Sequence, residues 1–311
     1  MIVEEKYELP KDFYNEEVRC GFTVTAKQKK VWAVQLDLLN NLLTVCKKHN
    51  IQVIAYAGTI LGAIRHKGFI PWDDDIDVAM TRLEYEKLLK VAQSEFQYPY
   101  FFQTALSDKE YFVGYARLRN SLTTGIIVDS KSVKYNNGIY IDVFVLDSYT
   151  QSEFELSRQL RRRKFILLLI DTYNEHIKYN LWIARAIAKL LHCTFSKIVP
   201  YNYMVSMYNN NLSIYNNREK RLSLMTHDLS FIRKYWCNIS DLEDIIEVPF
   251  ENLLIPIPRR YDDILKHMYG NYLEFPQQEK RGVWHEGQLL FEPDIPYKEY
   301  ILNCVNNVES D

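Results

Sequence analysis

AYAGTILGAIRHKGFIPWDDDIDVAM, residues 55–80, is the stretch from which the fold of this chain is read. It overlaps IQVIAYAG (51–58), a run of β-branched and aromatic residues that predicts a strand ending at Gly58. TILGAIRHKG (59–68) then predicts a short helix, capped by Thr59 and ended by Gly68. After Pro71 and Trp72 come Asp73, Asp74, Asp75 and Asp77, with Ile76 set between the last two. Val78, Ala79 and Met80 continue an extended pattern, so Asp75 and Asp77 are read as part of a half-buried strand and not of a solvated turn.

Alternate side chains of a strand share one face, about 6.5 to 7 Å apart, so Asp75 and Asp77 are placed to grip one ion or two neighbouring ions. Something must offset the repulsion between them. Hard carboxylate oxygens suit Mg²⁺ or Mn²⁺, which keep positions open for water and substrate phosphate. Gly58 and Thr59 lie at a strand-to-helix junction, where backbone N–H groups and the helix dipole favour phosphate. Downstream, Asp142 interrupts the apolar run GIYIDVFVL (138–146), where a lone carboxylate is costly unless paired or metal-bound. Asp75, Asp77 and Asp142 thus form a candidate three-carboxylate constellation.

Working outward, Thr25 followed by Gln28 has the spacing of a capping box. Val31, Val34, Leu38, Leu39, Leu42 and Val45 then recur at helical spacing and predict a helix that stops near Asn50. Thr81 and Glu84 form a second box, opening a helix to about Phe96. GYARLRNSLTTGIIVD (114–129) reads as strand, turn and strand, and GIYIDVFVLDSY (138–149) as a further strand. From Ser152 to about Trp236 the pattern becomes helical, and LLIPIP (253–258) is a strand followed by a helix from Tyr261. The expected class is α+β: a small mixed sheet flanked by helices, with a helical elaboration. The expected divisions are an irregular segment (1–25), a catalytic core (26–150), the elaboration (151–240) and a C-terminal segment completing the active-site region (241–311).

The 311 residues carry 38 Lys plus Arg against 40 Asp plus Glu, a net charge of -2, which argues against a surface built for nucleic acid. A hydrophobic share of 47% excludes global disorder. Cys20, Cys46, Cys193, Cys237 and Cys304 lack metal-ligand or redox spacing and read as reduced, mostly buried thiols. MIVEEKYELPKDF has no basic segment followed by an apolar run, so no secretory signal is read there and a cytoplasmic location is expected. The apolar runs fall short of the roughly 20 residues that cross a bilayer.

Residues 55–80 closely resemble the signature of the LicD family of phosphotransferases, related to fukutin-type proteins and of the nucleotidyltransferase-like fold. ARLRNSLTTG (116–125), GIYIDVFVLD (138–147) and IPIPRRYDDILKHMYGNYLEFP (255–276), with Arg281 and His285 after it, reinforce the resemblance, whereas the helical middle matches loosely. It implies a Gly-Thr turn at Gly58 and Thr59, an Asp-x-Asp pair at Asp75 and Asp77, and a third carboxylate at Asp142. It further implies transfer of a phospho-alcohol, most familiarly phosphocholine from CDP-choline, to a hydroxyl of a cell-surface glycan or teichoic acid precursor, with release of CMP. Asp75 and Asp77, with Asp142, would hold the metal, and Asp142 is also a candidate general base. Arg65, Lys67, Arg117 and Arg119 are the cations nearest these motifs and candidates for diphosphate contact. His285 gains weight from the resemblance, while His66 is left without a role. Trp72 is the first ring to consider for cation–π attraction to a quaternary ammonium.

LRRRKFILLLI (160–170) and NLWIARAIAKLLHCTF (180–195) combine cations with apolar residues, as peripheral anchors to anionic lipid do, although an amphipathic helix packed on its own core has the same pattern. Two other functions fit the same residues: a nucleotidyltransferase acting on a small molecule with release of pyrophosphate, and a catalytically silent scaffold.

Overall fold

The computed structural model describes residues 8–109, 111–127, 135–173, 199–277, 279, 281 and 289–308. His285 and the stretch 180–195 lie outside the described residues. The segment read as irregular contains a hairpin of β1 (Glu17–Arg19) and β2 (Phe22–Val24), because Cys20 and Gly21 both take positive φ, the geometry of the tight turn that suits strand twist. Thr25 accepts a hydrogen bond from the Gln28 amide and opens α1 (Ala26–Lys48). The expected apolar stripe packs into the main core, with Trp32 and Leu36 also fully buried.

β3 (Ile54–Ala55) leads into α2 (Ala57–His66) through a turn in which Ala57 takes positive φ. β4 (Asp77–Thr81) and α3 (Arg82–Glu95) follow, the Thr81 hydroxyl accepting from the Glu84 amide. β5 (Tyr100–Gln103), β6 (Ala116–Asn120), β7 (Thr124–Ile127) and β8 (Ile139–Ser148) complete the first half. The strand–turn–strand expectation for 114–129 holds for the strands but not for their pairing: β6 pairs with β5 and β8, whereas β7 pairs with β13 (Leu289–Glu292).

The central strand is β8, all ten residues of which are buried. β4 runs parallel to it on one side, β6 antiparallel on the other, and the order β5-β6-β8-β4-β3 makes a mixed sheet. After α4 (Glu153–Tyr173) and α5 (Tyr201–Leu212), β9 (Arg221–Ser223) extends that sheet from the end of β8. α6 (Leu229–Lys234) and β10 (Trp236–Asn238), which pairs with β9, follow. The segment expected to be wholly helical therefore also supplies two strands, short ones whose three residues each carry no readable alternation. A β11–β12 hairpin (Ile245–Phe250, Leu253–Pro258), α7 (Tyr261–Tyr269) and α8 (Tyr297–Val308) complete the described elements, giving an α+β fold with eight helices among the described residues.

Alternation along the sheet separates two faces. Val78, Met80, Ile141, Val143 and Val145 enter the main core with α1, while Ala79, Phe144 and Leu146 pack in a second cluster with α7 residues Ile264 and Met268. Asp77 and Asp142 belong to this second face.

A candidate active site at the acidic strand

The site grows from one row of the sheet. Asp77 of β4 is the register partner of Asp142 of β8, which is in turn the register partner of Arg117 of β6. Arg117 Nε donates to Asp142 Oδ1 at 2.7 Å, and both side chains are buried. Desolvation opposes the Arg117 charge, but Asp142 overcomes it and raises the guanidinium well above its ordinary pKa. One oxygen of Asp142 is thus engaged by Arg117. The same strand carries a second buried carboxylate, Asp147, on the other face, where Arg82 and Asn216 bind it. Asp147 has the surroundings of a structural ion pair; Asp142 opens onto the acidic run.

Before β4 the chain turns sharply, and one carboxylate oxygen from each of Asp73, Asp74 and Asp75 lies within 4.8 Å of the other two. Asp73 and Asp75 also hydrogen-bond. Burial, with repulsion from Asp75 and Asp74, pushes the Asp73 carboxyl well above the usual carboxylate range. Burial, with repulsion from Asp75, Asp142 and Asp73, does the same to Asp77. Five carboxyls, Asp73, Asp74, Asp75, Asp77 and Asp142, therefore share one negative field. Asp77 stands outside the tight set of three, so the closest oxygens belong to residues 73–75 and the sheet pair is Asp77 with Asp142.

Helix α1 holds this turn from behind. Gln28 Nε2 donates to the Pro71 and Asp73 carbonyls, Trp32 Nε1 to the Asp73 carbonyl, and Gln35 Nε2 to the Asp74 carbonyl at 2.8 Å. Residues 28, 32 and 35 share one helix face. Gln28 was read in the sequence only as part of a capping box, and Trp32 and Gln35 were not singled out, although two glutamines beside an apolar stripe were the available signal.

Thr59 does not cap α2, whose N-cap is Tyr56. Its hydroxyl accepts from the Asp77 amide at 2.8 Å and so ties α2 to β4. A Cβ on Gly58 would stand 3.1 Å from Asp73 Oδ2, so the missing side chain lets the turn approach the carboxylate. The helix ends at Lys67, in the left-handed region, and not at Gly68. Gly68 has a different role: a Cβ there would meet the Glu251 carboxylate at 2.1 Å.

The expected cations separate. Arg117 joins the carboxylate row. Arg119 is fully buried, donates to Gln103 Oε1 and the Gly138 carbonyl, and is held below its ordinary pKa, at about 10, by burial and Arg117. Lys67 is exposed. Arg65 donates to the Tyr272 and Glu274 carbonyls and to His66 Nε2. Trp72, only 5% exposed, lies among Phe22, His66 and Phe275, with the Arg281 and Arg65 guanidinium carbons 5.2 and 6.0 Å from its ring centre. The cations facing Trp72 thus come from the chain itself.

The carboxylate face is lined instead by tyrosines that the sequence reading did not single out. Tyr56, Tyr115 and Tyr269 lie in the field of Asp77, and Tyr111, Tyr115 and Tyr140 in that of Asp142. The buried Tyr111 hydroxyl has no hydrogen-bond partner among the described residues.

Elsewhere, the basic run of α4 divides. Arg161, Arg162 and Lys164 are exposed, while Arg163 is buried and donates to the Met225 and His227 carbonyls. Among the thiols, Cys46 and Cys237 are buried but Cys20, at the hairpin turn, is exposed. No helix among the described residues is long and apolar enough to cross a membrane.

Residues 50–175 match the family described as LicD/FKTN/FKRP, nucleotidyltransferase domain, a span that contains every carboxylate of the site. Over 264 residues the chain is 26% identical to the lipopolysaccharide cholinephosphotransferase LicD of Haemophilus influenzae (strain ATCC 51907 / DSM 11121 / KW20 / Rd), covering 81% of this chain and 93% of that protein. An uncharacterized protein of Rickettsia prowazekii (strain Madrid E) is 29% identical over 138 residues, 44% of this chain and 48% of its own length. The acidic signature, the mixed sheet that displays it and these relatives agree that residues 50–175 form a domain of the LicD/FKTN/FKRP family.

Proposed function

We propose that this protein is a metal-dependent transferase that moves phosphocholine from CDP-choline to a hydroxyl of a lipopolysaccharide or related cell-surface glycan, releasing CMP. The observation that carries the reading is the row Arg117–Asp142–Asp77 meeting the acidic turn of residues 73–75. Carboxyls raised by burial and by mutual repulsion, with only hard oxygen donors in the cluster, fit Mg²⁺ or Mn²⁺. Asp73, Asp75 and Asp77 would hold the ion, leaving the second oxygen of Asp142 free to act as a base. When bound, it neutralises charge on the diphosphate and departing CMP. The acceptor hydroxyl oxygen forms the new bond to the choline-bearing phosphorus as the bond from that phosphorus to the CMP oxygen breaks. The hydroxyl proton goes to the Asp142 oxygen not engaged by Arg117, and Arg117 fixes that carboxylate's orientation. Tyr111 supplies a buried O–H for a phosphate oxygen. Incubation with a panel of CDP-alcohols, Mg²⁺ and lipopolysaccharide acceptor tests this: CMP release is expected with CDP-choline and is to vanish on chelation.

A second enzyme reading draws on the family's description as a nucleotidyltransferase domain. It uses the same carboxylates and predicts pyrophosphate from CTP and phosphocholine. The identity of the released product separates the two.

The acceptor chemistry also gives the exposed face of α4 a use. Phe165 and Leu168, 60% and 49% exposed, stand beside Arg161, Arg162 and Lys164, a combination suited to anionic lipid. Flotation with vesicles containing phosphatidylglycerol is expected to retain the protein and to release the triple variant Arg161→Gln, Arg162→Gln, Lys164→Gln. Equal flotation of both removes the membrane contact.

A further inference from the structure

Next to the carboxylates, on the same face of the sheet, five aromatic residues form an arc. Tyr115 packs on Phe144, two residues beyond Asp142, at 4.6 Å between ring centres, and lies 6.2 Å from His227. His227 stacks on Phe231 at 4.2 Å, Phe231 on Tyr235 at 4.1 Å, and Tyr235 meets Tyr269 edge-on at 5.7 Å. Both ends of the arc return to the site: Tyr115 lies in the field of Asp142 and Asp77, Tyr269 in that of Asp77 and Asp73. All five residues are partly exposed. One cation beside the arc, the Arg117 guanidinium 5.9 Å from the Tyr115 ring centre, is already tied to Asp142. Burial and Arg163 keep the His227 imidazole below its ordinary pKa, so it serves as a neutral ring. One ammonium does approach: Lys234 Nζ stands 5.0 Å from the Tyr235 ring centre and 5.7 Å from that of Tyr269, which demonstrates that these faces are turned toward a cation. Lys234 is exposed and its flexible stem can leave.

We infer that the arc Tyr115, His227, Phe231, Tyr235 and Tyr269 is the seat of the donor's head group and selects a quaternary ammonium over a neutral alcohol. The inference deepens the transferase reading and rests on it for the donor's identity. A trimethylammonium group is weakly hydrated and has no N–H to donate, so ring faces and a nearby negative field recognise it where hydrogen-bond acceptors cannot. A glycerol or ribitol head group has no charge to gain from those faces and needs hydroxyl partners instead. The arc also borders the acidic run, so a head group seated there leaves its phosphate beside Asp77 and Asp142.

The test is equilibrium binding of CDP-choline and CDP-glycerol, each with Mg²⁺ and without acceptor. Phe231→Leu and Tyr235→Leu, which keep apolar volume and remove a ring, are expected to weaken CDP-choline about 3- to 30-fold while leaving CDP-glycerol within about twofold. Tyr235→Phe keeps the ring and should retain the wild-type preference. Equal loss for both donors, no loss for either, or loss of preference in Tyr235→Phe overturns the inference. Turnover of the wild-type protein separates the two levels. Phosphocholine transfer with unselective arc variants overturns the arc alone, whereas ring-dependent selective binding with no CMP released to any hydroxyl acceptor overturns the transferase reading alone.

Discussion

Two aromatic clusters with cations adjoin the acidic strand, and they differ in one respect. Around Trp72, His66 and Phe275 the rings are met by Arg65 and Arg281, whose other nitrogens are fixed on backbone carbonyls. Around Tyr235 and Tyr269 the cation within reach is an exposed lysine on a flexible stem. Residue type does not distinguish a structural cluster from a ligand seat; what does is whether the charge facing the rings is anchored. In the first cluster two arginines join the β1–β2 hairpin, α2 and the segment after α7. In the second, partly exposed rings border carboxylates raised by burial and by mutual repulsion.

The comparison breaks most visibly if the carboxylates that separate the clusters are dispensable. Asp77→Asn and Asp142→Asn should each lower CMP release on the order of 10²- to 10³-fold with near-unchanged circular dichroism. Near-normal rates in both would overturn the assignment of these carboxylates to the active site. Next, Trp72→Leu should cost about 2 to 4 kcal/mol in denaturant unfolding, from lost ring volume and lost cation–π contacts, without altering the preference between CDP-choline and CDP-glycerol. A changed preference would make Trp72 a ligand residue and erase the distinction. Arg281→Met should act in the same direction by about 1 to 2 kcal/mol, since its hydrogen bonds go to the Pro276 and Cys20 carbonyls.

The smallest effect concerns pH. Burial, with Arg65 and Arg19, lowers His66 to a pKa of about 4. The unfolded chain therefore binds a proton near pH 6.5 that the folded chain refuses until about pH 4, and stability falls as pH drops through that window. His66→Phe should flatten this part of the Tm profile. An unchanged slope would show that the ring is not buried beside Arg65.

Much of this was legible in the sequence where local chemistry decides structure. The caps at Thr25 and Thr81, the stripe of α1, the strand at β8 and the isolation of Asp142 follow from periodicity and from the cost of a buried charge. What was not legible depends on distant partners. Thr59 looked like a cap because its hydroxyl sits in the first turn, but that hydroxyl accepts a hydrogen bond from the Asp77 amide, eighteen residues on. Arg163 belonged to a basic run until the Met225 and His227 carbonyls captured it. Gln28 and Gln35 hold the acidic turn from across the core, and the five tyrosines at the carboxylates converge from four separate stretches of chain. Such convergence leaves no spacing to read.

The most direct measurement follows both products of one reaction: the protein with Mg²⁺, CDP-choline labelled in the choline methyl groups, and lipopolysaccharide acceptor. The predicted result is label on the acceptor in step with CMP, abolished by chelation and by Asp77→Asn. Label that stays with the nucleotide, or pyrophosphate released from CTP and phosphocholine in place of CMP, would contradict the account.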